Sequence, residues 1–265
     1  MDHSGAPTVS QAEKGRGPFE GDPEEAAKPD DFICPVCGKR LSPEWDKLDE
    51  KWFFQEIADA GICRQCHQLQ NIRKNIETHL KNAGVPAKFL ACAFDNYKIT
   101  KENHKCVQAC KQYPKHHPKD FPSLYLYGNC GTGKTHLVVA IARELMLLGK
   151  QVLFTGVPSL CYDIKKTFQN DSLKTELDAV RAYTSCDYLV LDDLGTEKPT
   201  EWVRKTLGYI IYDRDNRLKP TIITSNLSLD EIAKYVDPRM ASRINGMGPV
   251  IRFQGSDWRL SQRLR

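Results

Sequence analysis

The chain has 265 residues, 40% hydrophobic and 27% charged, with 38 Lys and Arg against 34 Asp and Glu for a formal charge of +4. This composition fits one or two packed domains, contains no run approaching the roughly 18 apolar residues of a membrane span, and has too small a basic excess to argue nucleic-acid binding until the charges are located. Ten cysteines, behind an N-terminus without a basic and then apolar leader, imply metal ligands and reduced thiols in a cytoplasmic protein rather than a disulfide framework.

Residues 1–31 hold four prolines, four glycines and eight acidic residues. A disordered acidic tail is expected there, because little apolar surface offsets the entropy of ordering. Residues 32–70 carry Cys34-Pro-Val-Cys37 and Cys63-Arg-Gln-Cys66, separated by 25 residues. Two such knuckles supply four thiolates, which suits structural zinc with no open position for catalysis. The separation exceeds the usual spacing, so a helical insert over 43–60 is expected to absorb the excess. A redox pair, or His67 in place of one thiolate, are the alternatives. Zinc would supply most of this module's folding energy, about 10–16 kcal/mol in isolated zinc modules. Residues 71–84 place Ile72, Ile76 and Leu80 on one helical face, with Gly84 as a C-cap, and 71–86 read as a helical linker ending at Pro86.

Residues 87–265 alternate short apolar runs with amphipathic stretches. Strands are expected at 123–127, 151–155, 188–192, 221–225 and 250–253. Helices are expected at 134–148, 158–168, 172–183 and 200–216, and after a capping box at Ser228 and Glu231. This is the pattern of an α/β fold whose parallel sheet is covered on both faces. Cys106 and Cys110, with His104, His116 and His117 nearby, read as solvated helix residues, a second metal site being the alternative.

Gly128-Asn129-Cys130-Gly131-Thr132-Gly133-Lys134-Thr135 matches GxxxxGK[ST] between an expected strand and an expected helix, with His136 next along that helix. The glycines let backbone N–H groups close around phosphate oxygens at a helix N-terminus. Lys134 would reach the β- and γ-phosphates of ATP and Thr135 would ligate magnesium. Asp192 and Asp193 end an apolar strand; the first would hold magnesium and the second would orient the attacking water. A glycine-rich turn with an exposed lysine, and a solvated turn at the aspartates, are the plainer readings. Cys130, inside the loop, would make activity sensitive to oxidation.

Over 85–265, the ordered segments AFDNY, YGNCGTGKTHL, YLVLDDLG, PTIITSN and DPRMASRI resemble the AAA+ ATPases, and within them the DnaC/DnaI helicase-loader and IstB-like group. The resemblance implies a P-loop NTPase of AAA+ type. It gives Asn226 the role of sensor 1, Arg243 that of an arginine finger acting on a neighbouring subunit's nucleotide (with Arg239 as rival), and Arg259 that of sensor 2. It sets Phe94 and Tyr97 beside the adenine, or else in the core. Many AAA+ ATPases have glutamate where this chain has Asp193, which implies slow turnover that depends on assembly or DNA. Only 22 residues follow Arg243, so no C-terminal lid is expected.

The same resemblance sets the helices over 158–184, and the loop after the aspartates, near a channel for single-stranded DNA. Lys165, Lys166, Phe168, Thr200 and Trp202 would contact DNA there. The function implied is delivery of a replicative helicase through the zinc module. A transposition helper acting on duplex DNA with a transposase, a small-molecule kinase, and a nucleotide-gated adaptor with little hydrolysis are the alternatives.

Overall fold

The computed structural model describes residues 29–46, 51–54, 57, 58, 61–115, 123–168, 175–195, 200–255, 257 and 258. The chain forms two compact units, Met1–Asn71 and Ile72–Arg265. The expected acidic tail lies, but for residues 29–31, outside the described residues.

In the smaller unit, β1 (Phe32–Ile33) pairs antiparallel with β2 (Arg40–Leu41) around the first cysteine pair. Cys34 N–H donates to Lys39 O at 2.9 Å and Gly38 N–H to Cys34 O at 2.8 Å, which closes the knuckle. Next, β3 (Glu44–Asp46) pairs with β4 (Lys51–Phe53), and β5 (Ile57–Ala58) with β6 (Ile62–Cys63). Among the described residues, the stretch expected to be a helical insert over 43–60 therefore holds strands at 44–46, 51–53 and 57–58 and no helix. Its Trp45, Trp52, Phe53 and Ile57 are residues that favour a pleated surface over a helix.

Helix α1 (Arg64–Lys74) begins directly after Cys63, earlier than the periodicity predicts. Asn75, at φ −124° and ψ 30°, separates it from α2 (Ile76–Asn82). The 71–86 segment is not a linker, because Leu80, Ala83 and Val85 are buried in the core of the larger unit. Gly84 shows how tightly it fits. At φ +99°, a Cβ there would lie 2.3 Å from Phe154 O, while Phe154 N–H donates to Ala83 O at 2.7 Å.

The larger unit continues with α3 (His104–Gln112), β7 (Leu124–Gly128), α4 (Lys134–Leu147), β8 (Val152–Gly156), α5 (Val157–Lys166), α6 (Glu176–Ser185), β9 (Tyr188–Leu194), α7 (Glu201–Asn216), β10 (Thr221–Ser225), α8 (Leu229–Tyr235), α9 (Pro238–Met247) and β11 (Val250–Phe253). Among the described residues, five strands of this unit form one parallel sheet in the order β11-β7-β10-β9-β8. One core joins residues of α2, α3 and α4 to one set of strand side chains, and a second joins α5, α7, α8 and α9 to the other. Both faces of the sheet are thus covered, which explains why the strands read as continuous apolar runs.

β7 lies between β10 and β11, and β9 lies on the far side of β10, so the loops leaving β7, β9 and β10 converge at the carboxyl edge of the sheet. Ligands bind at such an edge in open α/β sheets. The opposite edge is pinned by Arg214, a fully buried charge on α7. Its guanidinium donates to the carbonyls of Tyr183, Cys186 and Pro220 at 2.9, 3.0 and 2.6 Å and to Thr221 Oγ1 at 2.9 Å. Those acceptors lie just before β9 and at the start of β10, so one side chain fixes where both strands begin.

Cys110 is fully buried on α3 and Cys106 Sγ reaches Arg252 O at 3.3 Å. The pair therefore faces the core, in place of the solvated surface expected; α3 is amphipathic, and this turn of it lies against β11. His116 and His117 lie outside the described residues.

Candidate nucleotide and metal sites

The GxxxxGK[ST] segment leaves β7 at Gly128 and enters α4 at Lys134, with Gly133 as a left-handed N-cap at φ +86°. Gly133 also makes room for a neighbour, since a Cβ there would lie 2.7 Å from the Tyr97 ring. Tyr97 Oη donates to Thr132 O at 2.9 Å, and burial pushes its pKa up to about 12, so it stays a neutral donor. Gly131, at φ +73°, faces the Asp257 carboxylate across the loop, and Trp258 N–H donates to Gly131 O at 3.1 Å. Cys130 is exposed.

Lys134 is buried, and its ammonium donates to Gly128 O at 2.7 Å, Asn129 O at 2.9 Å and Asn226 Oδ1 at 2.9 Å. Thr135 Oγ1 lies 3.1 Å from each carboxylate oxygen of Asp192. The Asp192 carboxylate also accepts from Thr224 Oγ1 at 2.6 Å. Burial pushes its pKa above the ordinary carboxylate range; the Thr224 hydrogen bond opposes that, and the neighbouring Asp193 charge adds to it. A hydroxyl and a carboxylate side by side are the hard oxygen donors magnesium takes, so this pair fits that ion.

The structure thus brings Lys134, Thr135, Asp192 and Asn226 together at one edge of the sheet. Asp193 follows with φ +60°, one of two non-glycine residues with positive φ among the described residues. His136 Nε2 is 2.9 Å from Ala93 O, and its ring meets the Tyr97 ring edge-on with centroids 5.1 Å apart. It therefore braces the AFDNY segment against α4. Phe94 is half-buried and packs against the first core. The sequence gives no signal for Thr224, Asp257 or Trp258 at this site, because their approach depends on tertiary register.

Arg243 sits elsewhere. On α9 it is half-buried, with Nη1 2.8 Å from Asp215 Oδ2 and the guanidinium 4.6 Å from the centre of the Tyr212 ring, both partners on α7. Arg239, one turn earlier, is exposed. Arg259 lies outside the described residues.

On α5 and α7, Lys165 stands 5.3 Å from the centre of the Trp202 ring, and Phe168 meets that ring edge-on at 5.7 Å. Lys166 stands 4.4 Å from the centre of the Tyr162 ring, which is 63% exposed and joins the cluster unannounced by the sequence. Trp202 Nε1 donates to Glu176 Oε1 at 3.3 Å. The Thr200 hydroxyl caps α7 by accepting from Val203 N–H at 3.3 Å.

In the smaller unit, the Sγ atoms of Cys34, Cys37, Cys63 and Cys66 all lie within 4.8 Å of one another. Cys63 N–H points at Cys34 Sγ from 3.4 Å, and this backbone donor is the largest influence drawing the Cys34 pKa down to about 6. Burial pushes Cys66 up to about 12. One stabilised thiolate among four converging sulfurs is a donor set suited to a soft tetrahedral cation. His67, half-buried on α1, is not part of the cluster. Among the described residues no helix is long and apolar enough to cross a membrane.

The family model described as IstB-like ATP binding protein matches residues 48–265. A replicative helicase loader DnaC from Buchnera aphidicola (subsp. Baizongia pistaciae) is 30% identical over 210 residues, 79% of this chain and 85% of that protein. The replicative helicase loader DnaI of Bacillus subtilis is 36% identical over 149 residues, 51% of this chain and 47% of that one. Among solved structures, that of a DnaC helicase loader superposes with a TM-score of 0.58 at 25% identity, covering 64% of this chain and all of that one.

Proposed function

The chain belongs to the IstB-like ATP binding protein family, and from that premise we propose that it is a helicase-loading ATPase of DNA replication. The observation that carries this reading is the cluster of Lys134, Thr135, Asp192 and Asn226 at the carboxyl edge of the sheet, in a chain whose relatives are named replicative helicase loaders. ATP would bind with its phosphates against Gly128–Thr135. Lys134 would exchange carbonyl partners for phosphate oxygens, a short move because its ammonium already lies over the loop. Thr135 and Asp192 would hold magnesium, which neutralises charge on the β- and γ-phosphates. Asp193 would orient water and Asn226 would align it.

Arg243 completes the site from a second copy. Within its own chain it pairs with Asp215 and not with the phosphate loop, which supports a reading in which hydrolysis depends on assembly. Arg243→Ala should keep ATP binding and lose about 1,000-fold or more in turnover, as removal of an arginine finger does. Mixing it with Asp192→Ala protein should restore activity at hybrid interfaces, measured as phosphate release. Absence of rescue, or an equal loss in Arg239→Ala instead, would move the finger elsewhere.

Tyr162, Lys165, Lys166, Phe168 and Trp202 supply the single-stranded DNA surface, with rings for bases and ammonium groups for phosphates. Base stacking is worth about 1–3 kcal/mol per base, so Phe168→Ala with Trp202→Ala should weaken oligonucleotide binding by about tenfold or more in fluorescence anisotropy. Lys165→Ala should instead flatten the salt dependence, by about 0.7 in the log–log slope. Unchanged affinity in the double aromatic variant would remove DNA from this face. The four cysteines hold structural zinc in the module that grips the helicase. Capture from host lysate with ATP present tests the whole reading: a replicative helicase supports it, and a transposase would favour a transposition helper.

A further inference from the structure

Adjacent residues on a regular strand point to opposite faces, so Asp192 and Asp193 cannot both serve one site on an ordinary β9. The strand is not ordinary there. Ile223 of β10 pairs with Leu191 and Ser225 with Leu194, so β9 uses one residue more than β10 over the same span. That extra residue is a bulge, the device by which a strand re-aims a side chain beside a site. Asp193 absorbs it at φ +60°, a conformation that costs about 1–3 kcal/mol outside glycine unless its surroundings hold it.

What holds it is Thr224, the residue of β10 opposite the bulge. Its Oγ1 donates to Asp192 Oδ1 at 2.6 Å and accepts from Asp193 N–H at 2.9 Å. A single hydroxyl thus bonds both aspartates, one through its carboxylate and the other through its backbone. Thr224 is fully buried, so water cannot replace it. Ser225 closes the far end of the bulge, donating to Leu194 O at 2.6 Å and accepting from Leu227 N–H at 3.0 Å. Thr135 Oγ1 also meets the Asp192 carboxylate, which leaves that group held by two hydroxyls.

We infer that Thr224 is a positioning residue of the hydrolytic site: its hydroxyl turns the Asp192 carboxylate toward Thr135 and locks the bulge that aims Asp193, without itself reaching nucleotide. The inference rests on the magnesium-ATP reading of this site. Thr224→Val keeps shape and volume but can neither donate nor accept, whereas Thr224→Ser keeps the hydroxyl. The valine variant should lose about 10–100-fold both in kcat and in the affinity of manganese for the ATP complex, read by electron paramagnetic resonance. Its ATP affinity in the presence of EDTA should stay at the wild-type value. The serine variant should stay within about threefold of wild type in each assay, because the bonds survive. If Thr224→Val does not fold, Thr224→Cys, a poor hydrogen-bond former of nearly serine size, replaces it with the same expected losses.

Wild-type kcat and manganese affinity in the valine variant would overturn the inference, as would a serine variant as impaired as the valine. So would a metal-free ATP affinity that falls together with kcat. A wild-type protein that neither hydrolyses ATP nor binds manganese with it would instead refute the reading of the site.

Discussion

Lys134→Ala protein is expected to be folded and unable to bind ATP, with affinity reduced at least about a hundredfold, the scale at which removing one partner of a buried charged pair acts. The reason is visible without nucleotide. The ammonium is buried and already satisfied by two loop carbonyls and Asn226, so the loop is shaped around a cation that phosphate oxygens can claim. Removing it leaves Gly128 O and Asn129 O facing the incoming phosphates, and like partial charges repel. Isothermal titration calorimetry measures the effect directly, with a thermal melt as the control for folding. Retained ATP affinity would mean that nucleotide sits elsewhere.

The second large effect concerns the cysteine cluster. Cys34→Ser should strip the protein of stoichiometric zinc and unfold the smaller unit while the larger one keeps its melting transition. Among the described residues of the smaller unit the apolar core is small. Its buried hydrophobic cluster is Cys34, Leu41, Ile62, Cys63 and Cys66, packed with Phe32 and Phe54. Without metal, that cluster cannot offset the entropy of ordering the segment, whereas zinc supplies about 10–16 kcal/mol in modules of this kind. Limited proteolysis should then cut readily between residues 29 and 71 and spare 72–265, and helicase capture should fall with the metal. Wild-type protein purified without zinc, yet resistant in that segment, would contradict the account.

The parts legible in the sequence are those where chemistry and local pattern coincide. β10 is a run of Thr, Ile, Ile, Thr and Ser between Pro220 and Asn226, and it forms over 221–225 as predicted because its β-branched residues suit a buried central strand. Ser228 and Glu231 cap α8 reciprocally, Glu231 Oε2 accepting Ser228 N–H at 2.7 Å. The four cysteines declare their own convergence by spacing. Illegible were features set by how distant segments meet. The segment over 43–60 reads as a helical insert that absorbs the long cysteine spacing, yet its described residues pair as strands at 44–46, 51–53 and 57–58. The run over 71–86 shows helical periodicity but not what its apolar face covers, which is the core of the larger unit. Asp192 and Asp193 are plain in the sequence, but the bulge that aims them is written in the register with β10 and in Thr224. Arg243 is legible as a candidate by its motif, whereas its partner Asp215 lies 28 residues away on α7.

Turnover per chain, measured as phosphate release across a wide dilution series, probes the shared site most directly. A nucleotide completed by a cation from a second molecule predicts a specific rate that climbs steeply as the protein passes from monomer to assembly, and that is lost on dilution even with saturating ATP. A rate per chain that stays constant down to concentrations where only monomer sediments would contradict it.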